Sequence, residues 1–258
     1  MEFLAGALTV DVMGKDLWMW ILFLALVLTL LALDLGVLHK ERREISMKES
    51  LILSAGYIMI ALIFGGWVWW SMGKVSGINY LTGYFVEKSL SMDNIFVISL
   101  IFSYFGIPRL HQHRVLFWGI LGVIILRALM IGVGATLVER FEWILFIFGG
   151  FLVLTGIKMV VSADHDPDMT DNAFLKFLRN HIPVTDRLHG EKFFVTEKDP
   201  DTGKIARFAT PLFLALIMVE GADIVFAVDS IPAIFAITTD TYIVYTSNIF
   251  AILGLRAL

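Results

Sequence analysis

Six carboxylates sit inside stretches that are otherwise too apolar for water: Asp34, Glu87, Asp93, Glu220, Asp223 and Asp229. Three cations accompany them, Lys88, Arg127 and Arg256, with Lys158 at the end of its stretch counted among the basic residues of the connection that follows. Each such charge costs about 2.5 to 3.5 kcal/mol at a bilayer centre, so retained charges mark a use. With Asn94, Ser91 and Ser230 nearby, the acids form a set of hard oxygen donors suited to magnesium, calcium or manganese. Glu220 and Asp223, at i and i+3, share one helix face, and Gly221 between them would let another backbone approach closely. Glu87 and Asp93 are six apart, as are Asp223 and Asp229. On a straight helix six residues turn through about 120° net, so neither pair can aim at one point. Either the helices break or the acids line a broad cavity. Pro232 removes a hydrogen bond to the carbonyl of Val228, which predicts a kink and a free carbonyl beside Asp229. Met92 and Met218 lie next to the acids, where packing is their ordinary role and a thioether contact to manganese the alternative. Arg127 and Arg256 can each pair with a site acid and stand in for a cation. The competing account is a set of interhelical ion pairs that only hold a bundle together, which the surplus of acids disfavours.

The acids recur in a pattern. Glu87-Lys-Ser-Leu-Ser-Met-Asp93-Asn94-Ile95 and Asp223-Ile-Val-Phe-Ala-Val-Asp229-Ser230-Ile231 both read acid, five residues, Asp, small polar residue, Ile. Each is followed by Leu-Arg-Ala-Leu, at Leu126 to Leu129 and at Leu255 to Leu258. Two matched features in one order predict a duplicated unit. The copies begin three apolar spans apart, so they should cross the membrane in opposite directions, as inverted-repeat transporters do with ion sites near the midplane. The first copy continues beyond its Leu-Arg-Ala-Leu into a further helix and the second does not, which predicts that the second repeat is truncated.

Those acids need helices to hold them. Of the 258 residues 58% are hydrophobic and 17% charged, and the mean hydropathy is +0.80. That balance excludes a disordered chain and a soluble domain, and points to a polytopic membrane protein. With no cysteine there is no disulfide scaffold or thiolate metal site, and a net charge of −4 gives no pull toward nucleic acid. Apolar runs predict spans over Leu17 to Leu38, Leu51 to Trp70, Tyr80 to Tyr104, Val115 to Val138, Trp143 to Val161 and Ala209 to Ile237, with a seventh beginning near Tyr242. Glu2, Asp11 and Asp16 replace the basic start of a cleavable signal, so the first span is expected to stay. Lysine and arginine crowd the connections after spans one, three and five, leaving only Lys15, Lys74 and Arg140 on the other side. The positive-inside rule then puts the N-terminus outside and the long connection in the cytoplasm of a multi-pass inner-membrane protein. Trp18, Trp20, Trp67, Trp69, Trp70 and Trp143 fall near span ends, as interfacial anchors do.

The organisation expected is therefore an all-α transmembrane bundle: helices 1–5 over 1–161, with the first repeat over about 80–161, a cytoplasmic connection over 162–208, and the start of the second repeat over 209–258. The connection should hold a short amphipathic helix around Ala173 to Leu178 and a hairpin turning at Asp199-Pro200-Asp201-Thr202-Gly203. Its cluster Asp164, His165, Asp166, Asp168 and Asp171 reads first as a solvated acidic turn and second as a weak metal sensor. His39, His111 and His113 read as membrane-surface residues.

The segments Glu-Lys-Ser-Leu-Ser-Met-Asp-Asn-Ile-Phe-Val, Phe-Ala-Val-Asp-Ser-Ile-Pro-Ala-Ile-Phe and Ser-Asn-Ile-Phe-Ala-Ile-Leu-Gly-Leu-Arg-Ala-Leu resemble the signatures of the TerC family of integral membrane proteins, with a layout similar to its bacterial Alx-type members. The likeness runs from Trp18 onward. It implies two inverted three-helix units like those of LysE-type transporters, and links to manganese export and tellurite resistance. It also implies metal contacts at Glu87, Asp93, Asn94, Glu220, Asp223, Asp229 and Ser230, with Asp34 at a gate or entry. The leading expectation is export of a divalent cation, manganese first, through an intramembrane acidic site. The alternative is a membrane scaffold that recruits partners through 162–208. No enzyme is expected, since no His-Glu-x-x-His, nucleophile elbow or phosphate loop occurs. Nor is any resident cofactor; the partners expected are the bilayer and the transported ion, and homo-oligomerisation stays open.

Overall fold

A computed structural model describes residues 9–33, 47–141, 143–161, 172–198, 203 and 205–254. The chain is mostly helical. After a two-stranded ribbon, β1 (Asp11–Val12) and β2 (Lys15–Asp16), come α1 (Leu17–Leu33), α2 (Met47–Met72), α3 (Lys74–Tyr104), α4 (Arg109–Arg140), α5 (Ile144–Val161) and α6 (Ala173–His181). The hairpin β3 (Phe194–Lys198) and β4 (Ile205–Ala209) leads into α7 (Pro211–Phe235) and α8 (Thr241–Leu253).

Among the described residues three helices are long and apolar enough to cross a membrane, Lys48–Met72, Arg109–Arg140 and Pro211–Phe235, and Leu17–Leu33, Ile144–Lys158 and Thr241–Leu253 are shorter apolar helices. At 31 residues α3 is one shorter than α4, but its Ser, Asn, Glu, Lys and Asp positions dilute its apolar character. The helices coincide closely with the expected spans. Local chemistry sets their limits: Pro211 occupies the first turn of α7, where its missing N–H costs nothing, and Gly73, at φ 90°, turns the chain between α2 and α3. A side chain at Gly77 would strike the backbone of Trp69, so this corner closes tightly.

The direction of packing matters for the site. Gly119 lies beside Val219, Gly122 beside Glu220 and Gly134 beside Phe235, so α4 and α7 run the same way. Against α3 the order reverses: Gly83 lies near Ile234, while Ile101 and Phe102 share a cluster with Leu212 and Met218. Thus α3 and α7, which carry the matched acidic phrases, are antiparallel neighbours.

Two apolar clusters hold the bundle. The larger joins Phe23, Phe64, Tyr80, Tyr84, Phe235, Tyr242 and Phe250 from α1, α2, α3, α7 and α8. The smaller closes one end, where Ile101, Phe102 and Ile107 meet Leu175 and Leu178 of α6 and the first turns of α7. The amphipathic helix expected near Ala173 is α6, three residues longer than Ala173 to Leu178. Asn172 caps it, accepting from the Leu175 amide. Strands β3 and β4 pair antiparallel around the expected turn, with Lys198 opposite Ile205; Asp199 to Thr202 lie outside the described residues.

At the opposite end the ribbon turns at Met13 and Gly14, both with positive φ, as a two-residue primed turn requires. Lys15 reaches Asp240 at 2.9 Å, and Asp240 also caps α8 by accepting from the Tyr242 and Ile243 amides. Tryptophans gather here: Trp18 meets Trp67, and Trp20 meets Tyr242 and donates to the Val12 carbonyl. Asp240→Ala removes a helix cap and an ion pair together, and should lower stability by about 1 kcal/mol, read as a fall in thermal midpoint in detergent.

Candidate functional site

Among the described residues the most deeply buried charge is Arg127 of α4, which is completely buried. Its Nη1 donates to Glu87 Oε1 of α3 and to Asn248 Oδ1 of α8, each at 2.5 Å, with Ser230 Oγ of α7 at 3.4 Å. Its Nε and Nη2 grip the two carboxylate oxygens of Asp223 on α7, at 3.3 and 3.0 Å. Glu87 is 1% exposed and Asp223 7%. One guanidinium therefore bridges the first acid of each matched phrase, and its planar fork suits the bidentate grip on Asp223. Ser91, one turn on from Glu87, donates to the Glu87 carbonyl at 2.6 Å and faces its Oε1 at 3.5 Å.

The cluster is not saturated. Glu87 Oε2 and Asn94 Oδ1 are buried oxygens with no hydrogen-bond partner, as is Glu220 Oε2. Asn248 leaves its Nδ2 without one. Buried polar atoms are nearly always paired, so the unpaired Oε2 atoms of Glu87 and of Glu220, one turn from Asp223, are a signal at this cluster. Glu220, one turn before Asp223, rests against α4 where Gly122 has no side chain; a Cβ there would collide with its carboxylate.

The remaining expected residues separate from this centre. Asp93 is exposed on α3, 120° round from buried Glu87, as the six-residue spacing requires of an unbroken helix. Asp229 is half-buried and accepts from Thr155 of α5 at 3.3 Å. Neither α3 nor α7 breaks between its acids. Pro232 lies inside α7, one turn before its end, and its own carbonyl accepts from the Ala236 amide. Lys88 turns away from the acids to donate to the Ala251 carbonyl at the C-terminal end of α8, where a helix dipole favours a cation. Met218 packs in the smaller apolar cluster and Met92 is exposed. At Gly221 the close neighbour is the Phe174 ring of α6, not a backbone segment. Asp34, Arg256, His39 and the cluster Asp164, His165, Asp166, Asp168 and Asp171 lie outside the described residues. Among the described residues no three His, Asp or Glu side chains gather as a metal-binding group.

Three participants were not read from sequence. Asn248 shows in the sequence as a lone amide in an apolar run and Thr155 as a lone hydroxyl in another, with nothing to tell which acid it meets. The glycine niche at Gly122 carried no signal of its own.

A multi-pass helical protein with a desolvated arginine-carboxylate cluster between antiparallel helices is an integral membrane protein with a built ionic centre. The chain belongs to the TerC family of integral membrane proteins, whose sequence pattern matches residues 72–258. It is 49% identical over 240 residues to an uncharacterised membrane protein of Myxococcus xanthus, covering 93% of this chain and 73% of that one. To an uncharacterised membrane protein of Rickettsia bellii it is 48% identical, covering 93% and 77%. A relative from Escherichia coli K12, named provisionally as the membrane-bound redox modulator Alx, is 43% identical over 251 residues, covering 93% and 76%. No solved structure matches the chain.

Proposed function

We propose that this protein exports a divalent metal cation, manganese first, by alternating access between two inverted helix units that meet at Glu87 and Asp223. The observation that carries the reading is the antiparallel contact of α3 and α7, which brings the matched acids onto one guanidinium. Two units related by inversion can open alternately to either side around a fixed centre. Glu87, Asp223, Ser230 and Asn248 form the central donor set, hard oxygens of the kind that bind manganese, magnesium or calcium, and the buried amide oxygen of Asn94 lies two turns from Glu87 toward the α6 end.

Because α3 and α7 run oppositely, the second acids flank that centre on opposite sides. Asp93 lies about 9 Å from Glu87 along the helix axis, toward the α6 end, and Asp229 lies about 9 Å from Asp223 toward the Trp-rich end. With the α6 end cytoplasmic and the N-terminus outside, Asp93 receives the ion, Asp229 passes it outward, and Glu220 completes the acidic lining. The transport reading involves no reaction at the site and no resident cofactor. These 258 residues contain no cysteine, so none of them contributes a thiol to a redox effect of the kind named for the Alx relative.

Manganese content of cells expressing the protein tests the reading. Glu87→Gln and Asp223→Asn keep the shape and oxygen of each side chain but remove its charge. Each should return cellular manganese to the level of cells without the protein, with equal amounts of folded protein in the membrane. Export at the parent rate by both variants would overturn it.

A further inference from the structure

The Nη1 atom of Arg127 lies where oxygens converge: Glu87 Oε1, Asn248 Oδ1 and Ser230 Oγ all face it, while Asp223 holds the rest of the group. Those are acceptors a hard cation would want. Arg127 also undercharges the site, for Glu87 and Asp223 carry two negative charges and the guanidinium only one. A divalent ion would balance the pair. Both cannot occupy the point at once, since ion and guanidinium repel and need the same oxygens.

A displaced arginine needs another acid in a buried region, because an unpaired buried charge is costly. Glu220 meets that need. Its Oε2 is buried and without a hydrogen-bond partner, and its carboxylate rests on α4 itself, at Gly122. Gly122 precedes Arg127 by five residues, about 7.5 Å of helix axis, and helical side chains lean toward the N-terminus, hence toward Glu220. Asp223 and Glu220, at i and i+3, offer two docking points one turn apart on α7.

We propose that Arg127 is a tethered competitor of the transported ion: it occupies the Glu87–Asp223 centre when no metal is bound and moves to Glu220 when a divalent cation enters. The idea rests on the transport reading and deepens it. Metal affinity is then set by the difference between the two arginine positions, since a ligand shifts an equilibrium only by its differential affinity for the two states. Emptied of metal, the site is refilled by its own cation, so the acids are never left facing each other unscreened. Arg127 acts here as a positioning residue and Glu220 as its second partner, so removing either should change affinity in opposite senses.

Manganese-binding calorimetry on the purified full chain in detergent, run as a double-mutant cycle, tests this. Arg127→Gln should tighten manganese binding about tenfold, because no competitor remains. Glu220→Gln should weaken it about tenfold in the parent, because the displaced arginine has nowhere to go. In the Arg127→Gln background, Glu220→Gln should change affinity less than about twofold. Equal weakening in both backgrounds would make Glu220 a direct ligand and overturn the proposal, as would weaker binding by Arg127→Gln. Should Arg127→Gln not fold, Arg127→Lys keeps the charge but loses the two-pronged grip on Asp223. It should tighten binding about threefold, whereas a merely structural arginine would give weaker binding. Absence of manganese binding by the parent would overturn the transport reading and this inference with it; binding by the parent with the wrong sign in the variants would sink this inference alone.

Discussion

Replacing Arg127 with methionine should lower stability by about 3 to 5 kcal/mol, the usual cost of stranding a buried charge whose partner is gone. Methionine fills much of the arginine volume, so packing loss is small and the effect is mainly electrostatic. Glu87 and Asp223 are left facing each other across α3 and α7 with no cation between them, and Asn248 and Ser230 lose their shared donor. A thermal midpoint well below that of the parent, followed by helical circular dichroism in detergent, is the expected result. The triple change Arg127→Met, Glu87→Gln, Asp223→Asn should recover most of the loss, because buried ion pairs can be replaced by neutral groups at little net cost when all partners change together. Manganese should raise the midpoint of Arg127→Met more than that of the parent, since the ion stabilises by about 2.7 kcal/mol at 100 times its Kd and meets no competitor in the variant. An unchanged midpoint in Arg127→Met would contradict the buried cluster itself.

Much of this arrangement was legible because bilayer chemistry is strict. Apolar runs must be helices, so the element order followed from hydropathy, and the matched phrases around Glu87 and Asp223 picked out the two helices that meet. The six-residue spacing already forbade Glu87 and Asp93 from sharing a target, and unbroken α3 buries one and exposes the other. Pairing of Arg127 with a site acid was foreseeable from charge alone; its simultaneous hold on one acid from each phrase was not, because that depends on α4 packing against α7 and α8 so that its arginine reaches through to α3. Other features lay beyond sequence for physical reasons. The ribbon at Asp11 to Asp16 rests on two residues of positive φ, too short for any periodic signal. Gly221 looked like a backbone contact because a glycine reports only that something is close, and the neighbour is the Phe174 ring. Lys88 was counted with the acids, yet α8 ends beside it and its carbonyls compete successfully for the ammonium.

The niche at Gly122 leads to the last expectation. A Cβ at this position would run into the Glu220 carboxylate, so Gly122→Val cannot be accommodated while Glu220 stays where it is. Overpacking of a closed interface costs about 1 to 3 kcal/mol, and the carboxylate must move, taking with it the second partner proposed for Arg127. Gly150→Val in α5 is the control, since nothing lies within 4 Å of a Cβ there. Gly122→Val should lower the thermal midpoint and abolish manganese export, whereas Gly150→Val should leave the midpoint near that of the parent. Adding Glu220→Ala to Gly122→Val separates the two causes. The shortened side chain makes room for valine, so stability should return, but export should not, because the acid itself is missing. Recovery of export in that double variant would show that the glycine serves packing alone and that Glu220 has no part in moving the ion.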